Sequence, residues 1–258
     1  MESPCLEFVG VDGCPAGWVV VALTEDGRLG CEVFPSFEAV VARHIRASIL
    51  VDVPIGLRDA GPEERRCDRE ARRLLKERGS SVFPAPVRAA LYAADYKAAS
   101  LVNREKTEGR RGLSRQSWAI TPKIREVNDY LAGHQGPMPA VREMHPELCF
   151  WALNGCQPLH HNKKTEQGYR ERLVLLSRHL PEAGSLVEAL LREHARRVVR
   201  RDDIVDALVG VVTASLSRGD LRTLPDAPER DSLGLPMEMV YFPLQPLACG
   251  APGGTYDP

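Results

Sequence analysis

Five carboxylates stand where they can act together. Asp12 closes the apolar run VGVDG, Asp52 closes the core of ILVDVPIG, and Glu143 sits in AVREMHPE. Asp203 and Asp206, behind Asp202, open the run RDDIVDALVGVVTA. Apolar strands that each finish on one acid bring residues distant in sequence to one edge of a sheet. Carboxylates grouped there repel one another while ionised, and a hard divalent cation, Mg²⁺ or Mn²⁺, relieves the repulsion. Such cations, held by acids from several elements, are the equipment of metal-assisted phosphodiester cleavage. Asp12, on the central strand, is the expected bridging ligand, with Asp52 and Glu143 approaching from neighbouring strands and the last helix completing the cage.

The helix geometry supports that grouping. At about 100° per residue, Asp203 and Asp206 lie about 60° apart and Asp202 and Asp206 about 40° apart, so all three share a face. Gly210 and Thr213 follow on the same stripe, small enough to leave room for a metal or a phosphate, while Ile204, Leu208, Val211 and Ser215 turn to the core. Plainer readings stand beside these. Asp12 precedes Gly13 and fits a simple turn. Asp202 fits a helix N-cap, and Glu143 a helix-start carboxylate. For Asp52, between Val51 and Val53, a purely structural role is the weaker reading, because an unpaired buried carboxylate is costly.

Other chemistry-bearing residues are weaker. His145 fits a proton shuttle, a ligand-orienting group or a structural strand-end histidine. Lys123, Lys163, Lys164 and Arg72 are candidate phosphate contacts, and the paired lysines equally fit a solvated helix start. Cys14 has no obvious partner histidine and reads as a turn residue. Trp18 reads as core. The DGCPAG turn offers backbone amides to a phosphate but lacks the GxxxxGK[ST] pattern.

The elements that must position these residues are legible from periodicity and punctuation. Residues 6–11, 18–24 and 29–34 read as strands joined by DGCPAG and EDGR, so short links make them antiparallel neighbours. A helix capped by Ser36 comes next, then the strand ILVDVPIG at 49–56. The stretch 58–136 is rich in Arg, Glu and Ala, with helical runs at 62–78, 86–103 and 122–133 broken at EKTEGRRGLSR, and reads as a helical insertion or cap. The sheet resumes at 140–145. Next come PELCFWALNG, stopped by Gly155, two further helices, and the helix 202–218 stopped by Gly219. The segment after Gly219 reads as a Pro-rich irregular tail.

The order predicts an α/β protein: a mixed five-stranded sheet, three strands antiparallel and two reached by parallel crossovers, flanked by helices. One domain over 1–250 is expected, with the insertion at about 58–136 and an irregular tail at 251–258. A doubly wound nucleotide-binding fold would alternate strand and helix from the start.

Composition bounds the partners. The net charge of −1 offers no global attraction to a polyanion, so any nucleic acid must be held by local patches. Two are available. One is Arg65, Arg66, Arg69, Arg72, Arg73, Lys76 and Arg78; the other is Arg192, Arg196, Arg197, Arg200 and Arg201. Both also fit solvated helix faces. Seven cysteines without a CxxC pair make a disulfide framework and a zinc site unexpected. Free thiols, no long apolar run and no basic or apolar leader in MESPCLEFVG point to a cytoplasmic protein without a membrane span.

The segments GVDGCPAGW, VDVPIGL, CDREAR, SSVFPAPVR, ITPKIREVN, EMHPELCFWALNG, KKTEQG and DDIVDAL occur in that order over roughly 8–215. In these the chain resembles the DUF429 family of predicted RNase H-like nucleases, within the ribonuclease H-like superfamily. The resemblance implies a ribonuclease H-like sheet and a metal-dependent nuclease acting on nucleic acid. Resolvase-type members of that superfamily carry metal on an Asp-x-x-Asp-Ala pattern, matched here by Asp203-Ile-Val-Asp206-Ala207, which puts Asp203 and Asp206 ahead of Asp202. A homodimer would suit junction cleavage. Two other functions fit the same residues: an ATP-binding protein of the actin or sugar-kinase type, which usually needs two copies of the core, and a catalytically inactive nucleic-acid-binding protein.

Overall fold

Residues 6–244 are described by a computed structural model of the chain. Runs of Val, Ile and Phe, whose branched or aromatic side chains pack well on a pleated surface, make up the strands. β1 (Glu7–Cys14), β2 (Gly17–Thr24) and β3 (Leu29–Phe34) form an antiparallel meander. β4 (Ser48–Val51) pairs parallel with β1, and β5 (Ala140–Glu143) parallel with β4, giving the order β3-β2-β1-β4-β5. This is the mixed five-stranded sheet that the element order predicts. β1 lies at its centre, and β4 is only four residues long, so Asp52 sits immediately past its tip.

Each face of the sheet buries its own core. On one face, Val9, Val11, Val20, Ile49 and Val51 pack against α1 (Phe37–Arg43) and a later helix through Val40, Ile124 and Val127. Ser36 caps α1 as expected, accepting from the N–H of Ala39. The β4–β5 connection then runs through α2 (Arg66–Leu75), a 3₁₀ turn at Lys76–Ser81, a second at Arg88–Tyr92, α3 (Tyr96–Lys106) and α4 (Arg115–Gly133).

The expected insertion therefore divides. Of the residues up to about 113, Ala85 and Leu91 reach the core under the sheet, while α4 is the sheet-covering helix just named. α4 also begins seven residues before Pro122, where the sequence suggested its start. Proline removes the N–H that would bond the carbonyl of Trp118, and the Thr121 hydroxyl donates to that carbonyl instead, at 2.7 Å. The helix runs through the proline.

The opposite face is covered by α8 (Arg201–Ser217), flanked by α5 (Pro146–Leu153), α6 (Glu166–Ser177) and α7 (Ala183–Glu193). α8 is buried almost continuously from Ile204 to Ala214, so it is the central helix of the molecule. The described residues hold eight α-helices and one five-stranded sheet.

The region after Gly219 corrects the sequence reading. Instead of an irregular tail it forms a hairpin, β6 (Arg222–Arg230) with β7 (Pro236–Tyr241). Pro225 and Pro228 fall where the register slips between Leu224 and Glu229, so the prolines occupy the unpaired stretch and leave the ladder intact on either side. Val240 bridges to Met144, which docks the hairpin beside β5. The tail expected at 251–258 lies outside the described residues. No helix among the described residues is long and apolar enough to cross a membrane.

Candidate metal centre

Two glycines determine how close β1 and α8 come. A Cβ on Gly10 would lie 2.0 Å from the carbonyl oxygen of Ala207 and 2.4 Å from the nitrogen of Val211; one on Gly210 would lie 3.0 Å from the Cα of Gly10. Strand and helix therefore touch backbone to backbone, which only glycine allows. Asp12 is two residues beyond Gly10, on the same strand face. Asp206 is one helical turn before Gly210, on the same helix face. One contact thus brings both acids to the same place. Gly210 and Thr213 do not leave space for a ligand, as their size suggested: Gly210 is used up against Gly10 and Thr213 is fully buried.

Asp52 joins them because its N–H donates to the carbonyl of Val11 at 3.0 Å, extending the β1–β4 pairing one step past the strand. Asp12, Asp52 and Asp206 each offer a carboxylate oxygen, and these oxygens lie within 4.8 Å of one another. Asp206 is 3% exposed. Its Oδ2 accepts from Nζ of Lys163 at 2.6 Å, the Asp12 Oδ1 accepts from the N–H of Gly13, and the Asp52 carboxylate accepts no hydrogen bond among the described residues. The trio lines a cleft of about 570 Å³ shared with Glu143, His145, Lys163, Lys164 and Asp203.

The electrostatics show a site short of positive charge. Burial, followed by Asp52, Asp206 and Asp203, holds Asp12 well above the usual carboxylate range, with Lys163 opposing. Burial and then Asp206 push Asp52 up to about 8. Asp206 is raised by burial against the pull of Lys163. Lys163 is itself raised, first by Asp206 and with contributions from Asp52 and Asp12. Three carboxylates face one ammonium, and the donors are all oxygens, the set that a hard divalent cation takes.

Glu143 lies apart from the trio. Both its oxygens are taken: Oε1 accepts from Nη2 of Arg65 at 2.8 Å, and Oε2 from Nη1 of Arg65 at 2.7 Å and the N–H of Ile55 at 2.6 Å. Arg65 also donates to the carbonyls of Ile55 and Gly56 and to Asp68. Glu143 and Arg65 thereby clamp the loop that follows Asp52, a positioning role. Arg65 is 2% exposed, so it is not part of a solvated or phosphate-binding helix face, and Asp68, its second partner, is likewise buried. Neither stands out by spacing. The Glu143 partner lies 78 residues away in the chain.

The remaining candidates separate cleanly. The N-cap of α8 is Arg200, not Asp202, and the Asp203 carboxylate accepts from the N–H of Arg200 at 3.0 Å, closing a capping box. Asp203 still lines the cleft, and burial pushes it up to about 6. His145 occupies the N-cap of α5. Its Nδ1 is buried without a partner among the described residues, and burial followed by Lys163 depresses its pKa to about 4, so it is neutral near neutrality. Lys123 lies over the Trp18 ring at 4.4 Å and packs on Gly13. Lys163 and Lys164 are both in the cleft wall. Arg72 is not: it holds Glu64 and the carbonyl of Val82 and lines a separate groove.

A family model described as "Protein of unknown function (DUF429)" matches residues 10–230. The chain belongs to that family. No curated protein and no solved structure matches it.

Proposed function

We propose that this protein is a divalent-metal-dependent phosphodiester hydrolase acting on nucleic acid, with the ribonuclease H-like arrangement that its sequence resembles. The observation that carries this reading is the meeting of Asp12, Asp52 and Asp206, from the central strand, the neighbouring strand tip and the central helix, with oxygens within 4.8 Å. These three would hold Mg²⁺ or Mn²⁺, with Asp203 nearby in the same cleft. The chemistry such a cation supplies is charge neutralisation at a phosphoryl group and acidification of water. The chain's own residues prepare the place. Gly10 and Gly210 fix the spacing of Asp12 and Asp206, the Arg65–Glu143 clamp holds the loop behind Asp52, and Lys163 balances part of the charge on Asp206.

The test is cleavage of labelled RNA, DNA, hybrid and junction substrates with Mg²⁺ or Mn²⁺. The wild type cuts at least one of them. Asp12→Asn and Asp206→Asn reduce the rate by about three orders of magnitude or more, on the scale of losing a charge-stabilising group at a reacting centre, while circular dichroism stays native. A wild type that cuts none, or variants that cut as well as it does, would end the proposal.

A further inference from the structure

Beside the trio lies a second, smaller pocket of about 240 Å³. It shares Lys163, Lys164, Asp202 and Asp206 with the cleft and adds Tyr169, Arg172, Arg201 and Val205. Four cations and two acids line it. Asp206 is met by Lys163, Arg201 by Glu166, and Arg172 by Glu147. The Lys164 ammonium makes no ion pair among the described residues, and Arg172, only 1% exposed, has an Nε with no hydrogen-bond partner among them. Arg172 backs the pocket wall with almost no exposed surface, so what it supplies there is charge from behind the wall.

The backbone that carries the two lysines is also firmly held. Their loop, 160–165, is tied to α6 at several points. Glu171 accepts from the N–H groups of His160 and His161 at 2.8 and 2.9 Å, and Arg172 donates to the carbonyls of His161 and Gly168. Thr165 caps α6 by accepting from the N–H of Gly168. A Cβ on Gly168 would lie 2.0 Å from the carbonyl oxygen of Asn162, so the loop reaches α6 only because that residue is glycine. Arg201, stacked 3.9 Å over the ring of Tyr169, is fixed on the other side. A fixed backbone anchor and a stacked guanidinium lower the entropy lost when an anion arrives.

We propose that Lys164 and Arg201, with the buried charge of Arg172 behind them, form a phosphate subsite that seats a phosphate group of the nucleic acid next to the acid trio. The subsite rests on the nucleic-acid reading above and names what that reading leaves open: a backbone phosphate beside the cleaved one, or the terminal phosphate of a strand end. Asp202 in the wall disfavours a second anion, so the subsite takes one group.

The experiment is binding without cleavage. A short fluorescent single-stranded DNA, with a 5′-phosphate or a 5′-hydroxyl, is titrated with wild-type protein in EDTA at several salt concentrations. Lys164→Glu weakens binding at least tenfold, about 1.4 kcal/mol, and lowers the slope of log affinity against log salt by about 0.7 per lost phosphate contact. Arg172→Lys, which keeps the charge but not the fork, weakens it less, and its fold is checked by thermal melting. A preference for the 5′-phosphate that Lys164→Glu abolishes assigns the subsite to a strand end; equal loss for both probes assigns it to the backbone. Unchanged binding in Lys164→Glu overturns the subsite, as does an equal loss in the control Lys106→Glu on α3. Because no cleavage is read, a wild type without nuclease activity leaves this result standing, whereas the loss of DNA binding altogether removes both.

Discussion

Two groups of acids meet near the carboxyl ends of the central strands, and they are built on opposite principles. Around Arg65, two carboxylates share one guanidinium, and every oxygen of Glu143 and Asp68 accepts from Arg65 or from a backbone N–H. Around Lys163, three carboxylates share one ammonium that touches only Asp206, and Asp52 accepts no hydrogen bond among the described residues. The first group is closed and 2% exposed at Arg65; the second opens on a cleft. A closed group needs nothing further, whereas an open one with excess negative charge is stabilised by a cation from outside. The difference separates acids whose partners all lie within the fold from acids that face a cleft with one shared ammonium.

Removing the cation from each group is the sharpest way to break this comparison. Arg65→Met leaves Glu143 and Asp68 buried without a counter-charge, a change that typically costs about 3–5 kcal/mol, and Mn²⁺ does not restore it. Lys163→Met costs about 1.5–3 kcal/mol, the scale of a hydrogen bond to a charged group, and Mn²⁺ restores most of it. Urea unfolding with Mn²⁺ or EDTA measures both. If Mn²⁺ rescues Arg65→Met, or fails to rescue Lys163→Met, the two groups are not distinct in the way described.

How much of this could be read from the chain alone depends on the range of each interaction. The meander and the crossover strands were legible, because turns such as EDGR and runs such as ILVDVP are local signals. Asp12 and Asp52 were legible for the same reason, each being an acid at the end of an apolar run, and Asp206 from its helical spacing and the Asp-x-x-Asp-Ala resemblance. Glu143 looked equivalent by that criterion and is not, since its fate is decided by Arg65, far away in sequence. The approach of β1 to α8 was hidden because a glycine does not announce what packs against it. The hairpin at Arg222–Tyr241 was hidden because prolines read as breakers, although here they fall in the unpaired stretch. The true start of α4 was hidden because Pro122 looks like a first-turn proline, and nothing in the spacing shows that the Thr121 hydroxyl compensates for it.

A smaller effect follows from the raised carboxyls of the open group. Asp52 titrates near 8 in the folded chain against an ordinary value of 3.8. The unfolded chain therefore loses this proton near pH 4 and the folded chain near pH 8. The resulting stability is complete below about pH 4 and lost as pH rises through 8. Asp12 and Asp206 are raised in the same sense. Metal-free protein should melt lower at pH 8 than at pH 5, and Mn²⁺ should raise the midpoint more at pH 8, where protons no longer compete for the carboxylates. A cation at a hundredfold above its Kd contributes about 2.7 kcal/mol, roughly 5–10 °C for a chain of this size. Superimposable melts with Mn²⁺ and EDTA at pH 8 would leave the open group without its proposed ligand.

The smallest effect tests whether charge count alone would have found the site. The groove beside α2 holds more arginines than either pocket at the trio: Arg69, Arg72, Arg73, Arg110 and Arg111, with Glu63 and Glu64. Yet Arg69 is paired with Glu63 at a half-exposed position, where such a pair contributes about 1 kcal/mol or less, and Arg72 and Arg111 are paired with Glu64 where the side chains are more covered. These three are balanced by neighbours from the same groove, as Arg201 is by Glu166, whereas Lys164 beside the trio has no such partner among the described residues. Arg72→Ala should therefore lower the melting point by no more than about 4 °C and leave DNA affinity within about twofold, a change below 0.5 kcal/mol. Should Arg72→Ala weaken binding more than Lys164→Glu does, nucleic acid runs along α2, and internal pairing is the wrong criterion for telling a structural arginine from a recognition one.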